Sequence, residues 1–167
     1  MIVSPRRLLI TALAGAIASA GALTPAGPAL AQYTVAGAPG VANVSVTQGE
    51  VAIVRGDSGE QVAADINAPL LPGDYISTAG NSRAEVQFDG ISMLRLAQNT
   101  QVRFVSLTPG SREIQVASGT AELAELQGAD GSAQIDTPSV TVRANQAGDY
   151  RVSVLPDGQT QVTVRSG

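Results

Sequence analysis

From Gly49 onward the chain breaks into short runs of alternating apolar and polar residues, each closed by Gly, Pro, Asn or Asp, with no sustained helical period. That punctuation leaves little room for an amphipathic helix and directs the chain into strands joined by tight turns. The spacing predicts strands at EVAIVR (50–55), DYISTA (74–79), SRAEVQFD (82–89) and ISMLRLA (91–97). Further strands follow at QVRFVSL (101–107), REIQVAS (112–118), TAELAEL (120–126) and SAQID (132–136). The last three are SVTVRA (139–144), DYRVSVL (149–155) and QTQVTVR (159–165). TAELAEL is rich in helix formers, but the strands around it and Gly119 place it in a sheet.

The stretch LLPGDYISTAGNSRAEVQFDG, residues 70–90, tests this reading. Asp89-Gly90 signals a two-residue hairpin turn, since both positions tolerate positive φ. Pairing across it sets Phe88 opposite Ile91, Val86 opposite Met93 and Ala84 opposite Arg95. The other face then pairs Gln87 with Ser92, Glu85 with Leu94 and Arg83 with Leu96. A half-buried hairpin would not carry Leu94 and Leu96 on that second face. Either a bulge shifts the phase after Ser92, or the second strand is covered on both sides; both suit a sheet that coils back on itself. Gly-led strand openings recur at Gly49, Gly73, Gly119, Gly148 and Gly158 at unequal intervals, which excludes a solenoid of fixed period. The expected class is all-β: an irregular wound β-roll or sandwich of short antiparallel strands with solenoid-like turns, preceded by a signal peptide.

Composition narrows the chemistry. The chain has no Cys, no His and no Trp, and all 10 basic residues are Arg. Disulfides, a thiolate nucleophile, a His-bound metal and a Ser-His-Asp triad are thereby excluded. Carboxylates, Ser/Thr, Tyr and Arg are a poor kit for hydrolysis, so neither catalytic residues nor a cofactor is expected. A net charge of −4 repels phosphate backbones and argues against nucleic acid as a partner. Asp74, Asp89, Asp130 and Asp157 each neighbour Gly, but nothing has the convergent spacing of a calcium loop. They read as turn residues, and no metal site is expected. Glu122 and Glu125 would face opposite sides of a strand, the wrong geometry for an acid pair.

The N-terminus, MIVSPRRLLITALAGAIASAGALTPAGPALAQ, has the organisation of a secretory signal. Arg6 and Arg7 supply the positive region, Leu8–Leu23 the apolar region, and Ala29-Leu30-Ala31 a small-x-small cleavage site before Gln32. The apolar run falls short of the ~20 residues of a spanning helix, so no stable membrane span is expected after cleavage. The expected layout is a signal peptide over 1–31, a flexible segment over 32–46 and an all-β domain over 47–167. The destination is periplasmic or secreted.

Read in order, GEVAIVRGD, LLPGDYISTAGNSRAEVQFDG, REIQVASGTAEL and IDTPSVTVRA resemble the FecR-like domain of bacterial envelope proteins. The resemblance rests on Gly49-Glu50-Val51, Pro72-Gly73-Asp74, Ser82-Arg83-Ala84, Asp89-Gly90, Thr100 and Thr137-Pro138, and it spans about residues 47 to 167. It implies an all-β extracytoplasmic domain without known catalytic residues. The best-known members relay iron-uptake signals through the inner membrane to a sigma factor. No cytoplasmic anti-sigma segment is expected before the apolar stretch, so that relay is not expected to carry over. Arg143 is followed by Ala-Asn-Gln rather than the Gly-Thr frequent in the family. The sequence ends on VTVRSG where relatives commonly continue, so a longer C-terminal part is an open expectation.

The expected function is non-enzymatic protein–protein contact in the cell envelope, in signalling, with an envelope protein as partner. A sheet edge is the expected contact surface, and the sequence does not say which strand forms it. The alternative is a module binding the cell wall or an acidic polysaccharide through a stripe of Arg83, Arg95, Arg103 and Arg112, which lie on successive expected strands. The same arginines could instead pair with Glu85, Glu113 and other carboxylates across strands.

Overall fold

A computed structural model describes residues 40–108, 110–127 and 131–166, and every regular element among them is a strand. They run β1 (Ala42–Gln48), β2 (Val51–Val54), β3 (Gln61–Ala63), β4 (Pro69–Leu70), β5 (Tyr75–Thr78), β6 (Arg83–Gln87) and β7 (Ser92–Leu96). Then come β8 (Gln101–Thr108), β9 (Gly110–Glu125), β10 (Gly131–Asp136), β11 (Thr141–Ala144), β12 (Gly148–Val154) and β13 (Thr160–Ser166). The expected leader and residues 32–39 lie outside the described residues.

All 13 strands form one curled sheet with two facing halves. One half runs β4-β1-β6-β7-β9-β12-β13, the other β3-β2-β5-β8-β9-β10-β11. The halves share β9: residues before Gly119 pair with β8 and β10, and residues after it pair with β7 and β12. Every pairing is antiparallel except β9 with β10. The apolar positions of both halves point inward, and Ile53, Leu70, Ile76, Leu94, Phe104 and Leu123 are fully buried between them.

Four of the places where the chain crosses between the halves form one set of corners: Gly49-Glu50, Ala79–Ser82, Ala97–Thr100 and Gly119. These corners stack, and each satisfies the polar groups of the next. Ala79 N–H donates to the Glu50 carbonyl at 3.0 Å, Asn99 N–H to Ala79 at 3.2 Å, and Ala97 N–H to Thr120 at 3.0 Å. Side-chain hydroxyls fill the remaining gaps: Ser82 Oγ accepts from Glu50 N–H at 2.9 Å, and Thr100 Oγ1 from Thr120 N–H at 2.9 Å. Ser82 and Thr100 are thus the pegs of a corner ridge, the physical form of the expected solenoid-like turns. Two glycines are required by it. Gly49 and Gly119 sit at φ 77° and 80°. A Cβ on either would lie 2.4 Å from Ser82 Oγ or Thr100 Oγ1, respectively.

Four expectations need correction. The first strand among the described residues starts at Ala42, within the segment expected to be flexible: β1 pairs with β4 and β6, and Ala42 and Val44 are fully buried. The short strands β3 and β4 are additional. The two runs on either side of Gly119 are a single 16-residue strand bent at that glycine. Lastly, the Asp89-Gly90 hairpin is one residue out of the expected register, with Val86 opposite Leu94 and Ala84 opposite Leu96. Its loop is Asp89-Gly90-Ile91: Phe88 N–H donates to the Ser92 carbonyl at 3.0 Å, and Asp89 Oδ1 accepts from Ile91 N–H at 2.9 Å. A one-residue slip exchanges the faces of a strand, so Leu94 and Leu96 go inward and no bulge is needed.

Candidate functional site: the open end of the curled sheet

A sheet that does not close has edges, and an unpaired strand edge is a template for another strand. Among the described residues this sheet has four. At one end are β3, with 3 residues, and β4, with 2, which begins at Pro69 and so lacks an N–H to offer. At the other end are β11, with 4 residues, and β13, with 7. β13 pairs only with β12, and it carries neither Pro nor any charge except Arg165.

The face of β13 is as open as its edge. Val162 and Val164 stand opposite Val152 and Tyr150, which are buried. The valines continue that inward apolar face past the point where the opposite half of the sheet covers it, and they are 41% and 50% exposed. Val140, just before β11, and Leu155, in the β12–β13 turn, are exposed as well. The Thr137-Pro138 corner holds this end together: Thr160 Oγ1 donates to Thr137 Oγ1 at 2.9 Å, and Ser139 Oγ lies 2.8 Å from Thr160 Oγ1. Beside it a groove of about 490 Å³ runs between Gly119, Pro138, Leu155 and Pro156.

The four arginines of the expected stripe do not share a surface. Arg95 lies in an outer-face row of alternating charge that runs Glu85, Arg95, Glu122, Arg151 across β6, β7, β9 and β12. Its contacts are 3.0, 3.6 and 3.8 Å in that order. Arg83 is exposed beside this row. Arg103 is on the other half of the sheet, its guanidinium 5.3 Å from the Tyr75 ring centroid. Arg112 is buried at 6% exposure, and no partner can reach it as a surface charge. Its Nη2 donates to both oxygens of buried Glu125, its Nη1 to Asp89 Oδ2 at 3.2 Å, and it lies 5.7 Å from the Phe88 ring centroid. Cross-strand pairing with Glu85 is the alternative that holds, for Arg95. For Arg112, sequence position contained a signal: it falls in phase with buried Ile114 and Val116.

The carboxylates are structural where they are described. Asp74 is buried and does more than shape a turn. Its Oδ2 accepts from Arg55 Nη1 at 2.8 Å and Leu71 N–H at 3.1 Å, and its Oδ1 from Gly56 N–H at 2.8 Å. Asp157 accepts from Gln159 N–H in the β12–β13 turn. Asp130 lies outside the described residues. Glu122 and Glu125 are on opposite faces, one in the outer charge row and one in the core. Among the described residues no three acidic side chains converge as a metal site would require.

These features define a class: an all-β domain wound around a ridge of stacked corners, closed by short edges at one end and open at the other. Within that class the chain belongs to the FecR protein family, whose pattern it matches over residues 74–167. The match begins at Asp74, the buried carboxylate, so β1–β4 precede it while being hydrogen-bonded into the same sheet. No curated protein and no solved structure matches the chain.

Proposed function

We propose that this chain is a non-enzymatic, extracytoplasmic FecR-like domain that makes protein–protein contacts in the bacterial envelope, periplasmic or secreted, and serves signalling there. The observation that carries the reading is the edge of β13, which has no neighbouring strand among the described residues, together with its exposed apolar face. An extended segment added to such an edge gains affinity from main-chain hydrogen bonds and specificity from alternate side chains, here Val162 and Val164. The leader-like N-terminus supports export. The lack of His and Cys supports a role without turnover. Recognition of a wall polymer or acidic polysaccharide is the weaker reading, because Arg112 is buried and Arg95 is paired.

The test is capture from solubilised envelope fractions on the immobilised chain, beside a Val162→Lys plus Val164→Lys variant. The wild-type chain is expected to retain a protein that the variant does not. Capture of nothing by either, or equal capture by both, overturns the reading.

A further inference from the structure

We propose that the end of the sheet away from the corner ridge holds a binding site for a small apolar carboxylic acid, with Arg112 as its anchor and the Asp89 carboxylate as a built-in stand-in for the ligand. The site does not involve β13 and stands apart from the reading above.

Away from the ridge, the start of β1 and the β6–β7 loop belong to one half of the sheet, and the β8–β9 hairpin belongs to the other. Among the described residues these segments line a cavity of about 270 Å³. Val41, Phe88 and Leu107 are its apolar walls, and Asp89, Thr108 and Arg112 bring polar groups to it. An apolar cavity with a few convergent polar groups is the usual form of a small-molecule site. Its volume falls just under the ~300–1,000 Å³ of such sites, which suits a short chain.

Of the three charges at this cavity only one is free to leave. Arg112 and Glu125 are buried, and Glu125 accepts from Arg112 Nη2 with both oxygens and from Ser92 Oγ with one. Asp89 differs. Its side chain is 39% exposed, it accepts from Arg112 Nη1 at 3.2 Å, and a Cβ on the next residue, Gly90, would meet nothing within 4 Å. An ion pair with one arm so exposed is held weakly. Turning Asp89 out into solvent leaves a guanidinium N–H at the cavity without its acceptor, and a buried donor left unmade is costly. A monoanionic carboxylate supplies that acceptor and restores the charge that Asp89 withdrew, while its apolar part lies against Phe88 and Leu107. A dianion would add a charge that nothing at the cavity balances.

Isothermal titration calorimetry with hexanoate tests the site, with hexanol as the uncharged probe of equal chain length. Asp89→Ser removes the stand-in carboxylate and keeps a hydroxyl to cap the Ile91 N–H. Without its internal competitor the variant is expected to bind hexanoate about two- to fivefold more tightly than the wild-type chain, the factor that an ion pair of this exposure represents. Hexanol is expected to bind Asp89→Ser at least about tenfold more weakly than hexanoate, because it makes no charge-assisted hydrogen bond to the guanidinium. Arg112→Met plus Glu125→Leu replaces the buried pair with apolar groups and retains the fold, checked by an unchanged circular dichroism spectrum. It is expected to lose the preference for hexanoate over hexanol. Asp89→Ser binding no hexanoate, or binding it no more tightly than the wild-type chain does, overturns the inference. Equal affinity of Asp89→Ser for the two probes, or an undiminished preference for hexanoate in the folded double variant, does the same.

Discussion

Arg112 and Glu125 belong to the same strand yet meet across the core, Nη2 to Oε2 at 3.0 Å, with side chains only 7% and 4% exposed. The bend at Gly119 folds β9 so that its two ends face each other from opposite halves of the sheet. Ser92 Oγ donates to Glu125 Oε2 at 2.8 Å and Asp89 binds Arg112, so the pair is anchored on both sides. Breaking a buried pair by removing one partner is far costlier than replacing both with apolar groups. Arg112→Ala is expected to cost about 3–5 kcal/mol in urea unfolding. Glu125→Ala should cost less, because Asp89 still neutralises Arg112. The double variant Arg112→Met plus Glu125→Leu should recover most of the loss. A double variant as unstable as Arg112→Ala would refute this account.

The bend itself is the next target. Gly119 combines φ 80° with a position where a Cβ would lie 2.4 Å from Thr100 Oγ1 and 2.5 Å from Thr100 Cα. Left-handed backbone costs an L-residue of order 1–3 kcal/mol, and the contact with the ridge adds to that. Gly119→Ala is expected to lower the midpoint of thermal unfolding by several degrees, at about 4–8 °C per kcal/mol. Circular dichroism should show the loss without a change in folded-state spectrum.

Asp74 ties its own turn, through Leu71 N–H, to the residues that follow β2, through Arg55 and Gly56. Removing its carboxylate strands two backbone donors and a guanidinium in a site that is 3% exposed. A lost charged hydrogen bond contributes ~1.5–3 kcal/mol, and an unsatisfied buried group adds its own penalty. Asp74→Ala is expected to cost about 3 kcal/mol or more by that reasoning. Arg55→Ala leaves the two N–H donors in place and should cost clearly less. Equal losses in the two variants, by chemical denaturation, would contradict the assignment.

How much of this could be read from the sequence depends on the length scale of the signal. Long alternating runs such as RAEVQ and the Val and Ile positions of REIQV are strands with the expected inward faces. The stretch ANVSVTQ was read as flexible because Ala and Asn dilute its alternation, and burial of Ala42 and Val44 depends on partners distant in sequence. The β6–β7 register was missed because Asp-Gly resembles a two-residue turn, whereas here Asp89 caps a three-residue loop. Leu94 and Leu96 carried the correction, being apolar on a face that should have been polar. A bent strand has no mark of its own in the sequence: Gly119 reads equally as a turn between two strands. The edges were illegible, since whether β13 has a neighbour depends on the sheet order.

The arginines outside the core give a prediction of small effect. Arg83 makes no ion pair among the described residues, and Arg103 has only the Tyr75 ring. Surface changes away from special features stay within about 0.5 kcal/mol. Arg83→Ala plus Arg103→Ala is expected to leave urea stability within that margin. Because the two residues are on opposite halves of the sheet, the double variant should also leave sedimentation with peptidoglycan unchanged. A salt-sensitive loss of cosedimentation in this variant would restore the polymer-binding reading.

Thr100 isolates the ridge from the rest of the core. It is 1% exposed, and its hydroxyl accepts from Thr120 N–H while lying within hydrogen-bond reach of the Gln98 and Thr120 carbonyls. Thr100→Val keeps the volume and removes the hydroxyl, so any loss belongs to the hydrogen bonds. Leaving a buried donor unsatisfied costs ~1–3 kcal/mol, and that is the expected destabilisation. Thr100→Ser keeps the hydroxyl and gives up a methyl, with an expected loss of about 1 kcal/mol. The order Val worse than Ser, measured by urea unfolding, identifies the ridge as hydrogen-bonded structure; the reverse order would assign Thr100 to apolar packing.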